Sequence, residues 1–579
     1  MRRSSALTIA AVSCAAFGVA AFRIYPAMSS ALGAPPQQIA SADVASPAGG
    51  QVSQAAAHIQ PVSAGTSSIS GTKLAPAAAI GTEIYTAKRG ESLPAVARQY
   101  LGRTSYLTSS ELADAIRHIN GDRSGNILRA GEQIVIPGIL PAPIVEKTVP
   151  VAKDFEVRAI YLTGIMAGSD HGVRIIKHWR EVGGNSVVFD IKDSDGSVTI
   201  PFQHPLLGKH QVYIRDLPKF IHFLHSENMH AIARIAMFRD QRMVTEHPEL
   251  AVQSRKNHAP WRENGKLVWS DPSNPAMQAY NIALAKFVAQ SGADEIQFDY
   301  VRFPAEGDQK DAMFVFQKDH PAEDSQPEPT VAKTQPDSNH DVVPATAQAG
   351  DGTIRQPQVH LQSAGSQPKS ASGKVAAGTR KPKAEPAPRG MQRSDVITGF
   401  LQKAYAELHP TGVLLSLDVF GVMAWQRPVD LSHTGQDIVG MAKYCDVLSP
   451  MIYPSHFFGM DNIEHPGDAP EHFIGESMDR FELITKGSGV VIRPWLQAFH
   501  WRTKTYSPEY IKVQVATAKE KGGIGFLFWN AANDYSKPFV AMPEMHDADM
   551  KSGSKDKAKF FRGDELPTSS VRAALTPSR

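Results

Sequence analysis

Asp294-Glu295-Ile296-Gln297-Phe298-Asp299-Tyr300-Val301 alternates polar and large apolar residues with a period of two. Successive side chains of a β-strand point to opposite faces. Glu295, Gln297 and Asp299 therefore share one face, and Ile296 and Phe298 take the other, the side that meets helices. Outward from this stretch, seven more apolar runs recur at 157–163, 185–191, 231–238, 412–420, 446–453, 489–499 and 523–530. Each is followed by a helix-length connection. Eight such pairs predict an α/β protein, a (β/α)8 TIM barrel rather than an open sheet. The barrel falls in two halves, 150–306 and 391–545, separated by a Pro-, Gln-, Ser- and Lys-rich insertion at 307–390. That insertion reads as disordered, because its few apolar residues cannot repay the entropy of ordering.

The same composition argument makes 28–79 a disordered linker and 546–579 a disordered tail. Residues 1–27 open with two arginines and continue with an uncharged, mostly small apolar run from Ala6 to Phe22. This is a secretory signal or an uncleaved membrane anchor. Either places the protein outside the cytoplasm, in the periplasm or cell envelope, with anchorage to the inner membrane through residues 6–22 in the second case. The 60 basic residues nearly cancel the 58 acidic ones, which argues against a nucleic-acid partner. Only Cys14, inside the apolar run, and Cys445 occur, so no structural disulfide is expected.

Residues 80–140 form a separate small unit with the plan strand, helix, helix, strand. Leu93, Val96 and Ala97 recur at helical spacing, as do Leu112, Ile116 and Ile119. Tyr85-Thr86-Ala87, Arg89-Gly90-Glu91-Ser92-Leu93, Asn120, Leu128, Gly131 and Ile134-Val135-Ile136-Pro137 resemble the LysM pattern. The resemblance implies binding of peptidoglycan or another N-acetylglucosamine-containing glycan, with Gly90, Glu91, Ser92, Asn120 and Leu128 at the sugar. Taken alone, these residue types also make ordinary turns and caps.

In a (β/α)8 barrel the chemistry sits at the C-terminal ends of the strands. Asp299 ends the fourth run, Asp418 lies on the inner face of the fifth with Ser416, and Asp190 and Lys192 end the second. The seventh puts Arg493, Trp495 and Gln497 on one face. Two carboxyls on neighbouring strands suit glycosidic cleavage, in which one protonates the leaving oxygen and the other attacks or activates water. Tyr300, Tyr453, Trp495, Trp501 and Trp529 offer faces for sugar rings, and Arg239 and Arg302 could orient substrate or a carboxylate. Each aspartate has a bland alternative as a loop cap, Trp529 as core, and Lys192 as an ion-pair partner of Asp193. Asp193-Ser194-Asp195-Gly196 lacks the remaining ligands of a calcium loop, and His456 and His500 have no partner at metal-ligand spacing. No metal or other cofactor is expected.

The strings at 157–163, 189–192, 297–304 and 449–455 resemble a family known as a putative glycosyl hydrolase domain, distantly similar to α-amylase-like barrels. The resemblance implies a polysaccharide substrate, with Asp299 as nucleophile and Asp418 as proton donor. Gln297 stands where α-amylases carry arginine, and the fifth strand supplies Asp in place of Glu. The rival expectation is a barrel that binds polysaccharide without cutting it.

Overall fold

The computed structural model describes residues 81–122, 124–319 and 390–551. The signal or anchor, the linker, most of the insertion and nearly all of the tail lie outside these residues. No helix among the described residues is long and apolar enough to cross a membrane.

In the small unit, β1 (Thr82–Thr86) pairs antiparallel with β2 (Gln133–Pro137), and α1 (Leu93–Tyr100) and α2 (Ser109–Ile119) lie between them in sequence. Helix α2 starts where it does because Thr108 and Glu111 form a reciprocal capping box. Leu93, Val96, Leu112, Ile116, Ile134 and Ile136 close a separate core. This unit is fixed to the barrel. Lys219, only 4% exposed, donates from Nζ to the carbonyls of Leu101 (2.8 Å) and Tyr106 (3.3 Å). The chain then runs under the barrel, where Val149 N–H reaches Asp294 Oδ1 at 2.7 Å and Glu146 pairs with His222 at 2.6 Å.

All eight expected strands form. They are β3 (Val157–Leu162), β4 (Ser186–Lys192), β5 (His230–Ala236), β6 (Glu295–Asp299), β7 (Leu414–Phe420), β8 (Val447–Met451), the two-piece seventh strand β9 (Val491–Ile492) with β10 (Trp495–Gln497), and β11 (Gly525–Trp529). Pairings run in chain order around the ring, and β11 closes it on β3 with every pairing parallel. The seventh strand breaks at Pro494, which has no N–H to give the ladder. After the strands come α3 (Asp170–Glu181), α4 (Leu217–Ser226), α5 (Pro275–Gln290), α6 (Arg393–Leu408), α7 (Ile438–Met441), α8 (Pro470–Thr485), α9 (Pro508–Glu520) and α10 (Ser536–Lys551).

The first residues of the expected insertion pack on the barrel. Ala312–Met313 pairs with Gln253–Ser254, and Phe314 and Phe316 are buried against Phe303. Each buried phenylalanine contributes roughly 1.5–3 kcal/mol, enough to hold a short polar stretch to the barrel. The described residues stop at 319 and resume at 390, within the connection from β6 to α6.

The inward side chains of the barrel stack in charged tiers. At the floor Glu295 and Arg493, both 0% exposed, pair at 2.8 Å, and His230 Nε2 lies 3.1 Å from Glu295. Burial opposes a charged Glu295, yet the Arg493 guanidinium and the His230 bond hold its pKa down to about 2.

Candidate active site

One tier above the floor, Arg234 of β5 stands in register with Gln297 of β6 and Asp190 of β4. Its guanidinium is surrounded by acids. Nη1 meets Asp190 Oδ1 at 2.5 Å, while Nη2 and Nε meet Asp299 Oδ2 at 2.6 and 3.2 Å. Asp418 Oδ2 lies 4.0 Å from Nε. Three buried carboxyl groups thus share one guanidinium.

Protonation resolves the imbalance, since like charges this close disfavour ionising every member. Burial first, then the charge of Asp299, pushes Asp418 well above the usual carboxylate range, against the opposing pull of Arg234 and the Trp495 N–H. Burial likewise raises Asp190 to about 7, with Arg234 opposing it. Asp418 Oδ1 accepts from Gln297 Nε2 (2.8 Å) and Trp495 Nε1 (2.6 Å), which leaves Oδ2 as the oxygen able to carry a proton. Asp299 is held differently: Oδ1 accepts the backbone N–H of Tyr300 at 2.6 Å and Oδ2 takes Arg234. Tyr300 has φ 51°, a left-handed backbone that a bulky residue adopts only at a cost of order 1–3 kcal/mol. Tyr300 OH is fixed by Arg239 Nη1 at 2.9 Å.

These groups open into a cavity of about 250 Å3 at the C-terminal end of the barrel. Asp299, Asp418, Tyr300, Tyr453, Trp495 and Trp529 line it, as expected from strand ends. Five other expected substrate contacts do not line it. Asp190 sits behind Arg234 with its second oxygen taken by Tyr161 OH at 2.5 Å. Lys192 points outward because a register shift between Asp190 and Lys192 breaks the period of two. Its ammonium is buried on Asp240 (2.9 Å), Asn281 and the Met237 carbonyl, so Asp193 is not its partner. Arg302 stacks between Trp269 and Phe420, 4.6 and 4.4 Å from their ring centres, behind Tyr300. Gln497 joins two rim connections, accepting from Ser455 N–H and donating to the Phe499 and Trp501 carbonyls. Arg239 acts through Tyr300, and Trp501 packs on His456 beside the cavity.

The residues that strand-end reasoning misses are Arg234 and Tyr161, with Thr163, Asp193 and Ser194 at the rim. Arg234 leaves a trace in the sequence: it is a lone charge on the inward face of an otherwise apolar run, and a buried charge needs partners. Among the described residues no group of three or more His, Cys, Asp or Glu is arranged to hold a metal ion.

In the small unit, Gly90 has φ 82° with open space around it, and Ser92 bridges to Ile127 beside it. Glu91 is spent on Tyr85 OH (2.7 Å) and Lys88 N–H (2.7 Å). Asn120 and Leu128 do not face a groove. The Asn120 amide pins α2 to β2 through Val135 N–H and the carbonyls of Ile116 and Val135, and Leu128 is 2% exposed in the core.

Residues 159–535 match the model of a family described as a putative glycosyl hydrolase domain. No curated protein matches the sequence. Solved structures similar to this chain include a hypothetical protein from Ruminiclostridium thermocellum ATCC 27405, 36% identical over 27% of this chain and 80% of that one, with a TM-score of 0.25. The PgaB (BpsB) glycoside hydrolase domain from Bordetella bronchiseptica is 11% identical over 67% of this chain and 98% of that one, with a TM-score of 0.40. The Bacillus megaterium QM B1551 spore cortex-lytic enzyme SleL is 11% identical over 79% and 85%, with a TM-score of 0.34.

Proposed function

The chain belongs to the family described as a putative glycosyl hydrolase domain, and on that premise we propose that it cleaves glycosidic bonds of a cell-envelope or extracellular polysaccharide. The observation that carries this reading is the unequal treatment of two facing carboxyls. Asp299 pairs with Arg234 and is the nucleophile, while Asp418, pushed toward its neutral form, protonates the leaving oxygen. Its proton, on Oδ2, passes to the glycosidic oxygen as the bond to the anomeric carbon breaks. Tyr300, Tyr453, Trp495 and Trp529 bound the cavity and supply faces for the sugar ring. The α-amylase-like arrangement would place its guanidinium at position 297. Here Gln297 is in register with Arg234, so the guanidinium comes from the neighbouring strand.

The LysM-like unit holds the enzyme on peptidoglycan or a related glycan, with Gly90 and Ser92 as the open part of its loop. The apolar run at 6–22 delivers the protein to the periplasm or envelope as a signal or an inner-membrane anchor. The test is reducing-end release from a panel of purified peptidoglycan and envelope polysaccharides, comparing the protein with Asp299→Asn. The variant should lose at least about 10³-fold in rate. No release from any substrate, with both proteins still pulled down on peptidoglycan, would replace the enzyme by a binding protein.

A further inference from the structure

A second cavity, of about 380 Å3, opens on the same rim, between the connections that follow β8 and β10. Tyr453 lines the first cavity and Ser455 the second, and Gln497 fastens the two connections to each other. Its walls include Phe458, His465, Asp468, Arg502 and Lys504.

Arg502 dominates this second space. Its guanidinium carbon lies 4.4 Å from the ring centre of Phe458 and 4.6 Å from that of Trp501. Stacking uses the faces of the guanidinium and leaves the N–H donors at its edge free for a planar acceptor. No carboxylate among the described residues lies within ion-pair reach of that edge. The backbone here is built, not slack. Arg502 has φ 48°, costly for a residue with a side chain. The turn is clamped by Asp468, whose Oδ1 accepts Thr503 Oγ1–H (3.0 Å) and Lys504 N–H (2.6 Å). On its other side, Gly467 approaches so closely that a Cβ there would fall 2.1 Å from the Arg502 carbonyl oxygen. Two acids also line the space: Asp468, which holds the turn, and Glu464, whose side chain is 89% exposed and lies 3.7 Å from His465 Nε2.

We propose that this cavity is a distal subsite for a carboxylate-bearing sugar of the polysaccharide being cut, its carboxylate received edge-on by Arg502 with Lys504 adding a second positive charge. The inference deepens the hydrolase reading above and rests on it. A planar fork that is stacked, held in place and unpaired is matched in geometry and charge by a carboxylate.

The test uses the full chain and two glycans of equal length. Peptide-free peptidoglycan strands carry a lactyl carboxylate on alternate sugars, whereas chitin oligomers share the backbone and lack it. Reducing-end release should show kcat/KM about tenfold higher on the acidic glycan, equivalent to one charge-assisted contact. Arg502→Gln should erase that preference through KM, leaving kcat and the rate on chitin oligomers unchanged within about twofold. Equal rates on both glycans, or a preference that survives Arg502→Gln, overturns the subsite and leaves the hydrolase standing. If neither glycan is cut, the hydrolase reading falls on these substrates and the subsite is read directly by ligand-observed NMR. Line broadening of N-acetylmuramic acid beyond that of N-acetylglucosamine, lost in Arg502→Gln, supports it; identical broadening in both proteins overturns it.

Discussion

The floor and the mouth of this barrel use the same residue types in different proportions. At the floor one carboxylate, Glu295, meets one guanidinium, Arg493, and both are sealed from solvent. At the mouth three carboxyls, Asp190, Asp299 and Asp418, converge on Arg234 alone. A balanced buried pair serves architecture. A deficit of positive charge forces protons onto some of the acids, and an acid that holds its proton near neutral pH can give it away.

The comparison breaks most severely if the floor pair is split. Arg493→Met should cost about 3–5 kcal/mol by chemical denaturation, because Glu295 would be left buried and uncompensated, whereas pairing it with Glu295→Leu should recover most of that loss. Full stability of the single variant would mean the floor is not sealed. At the mouth, Asp418→Asn should lower kcat on natural glycans by about 10²–10⁴-fold, the range for losing a general acid. Aryl glycosides with good leaving groups should be largely spared. An equal loss on both substrates would remove Asp418 from the acid role. Trp495→Phe should act least: it deletes the N–H that favours the ionised form of Asp418, so the alkaline limb of kcat should move to higher pH by about one unit or less. A limb that moves down contradicts the assignment.

The two tiers also pull stability in opposite directions with pH. Glu295 titrates near 2 in the fold against an ordinary 4.5, so its contribution is complete above about pH 4.5 and is lost as pH falls toward 2. Asp190, raised to about 7 from 3.8, does the reverse: the stability gained by keeping its proton is lost as pH rises through that window.

Much of this was legible in the sequence because burial imposes a period. Strands and the inward placement of Asp299, Asp418 and Trp495 follow from alternation, which survives in β6 and β7, whereas Tyr300, next to Asp299 in the chain, lines the cavity with a left-handed backbone. It fails at Lys192, where a bulge turns the chain by one residue, and no local pattern announces a bulge. Asp190 and Arg302 fall on the expected elements, but which of two neighbouring polar groups reaches the cavity depends on partners distant in the chain. Arg234 is not legible from strand ends, because a single charge in an apolar run shows no chemistry until its three acids are placed around it. Phe314 and Phe316 lay within a stretch whose average composition hid them.

Lys219 has a consequence beyond packing. An ammonium buried against two carbonyls of the small unit joins that unit to the barrel by contact, not by a floppy tether. Linker length then does not govern how the two cooperate. On the proposed reading of the small unit as a glycan binder, the strand it grips would lie at a constant offset from Asp299, and the pair would act as a gauge: its products would share a set length, where a swinging pair would leave a spread.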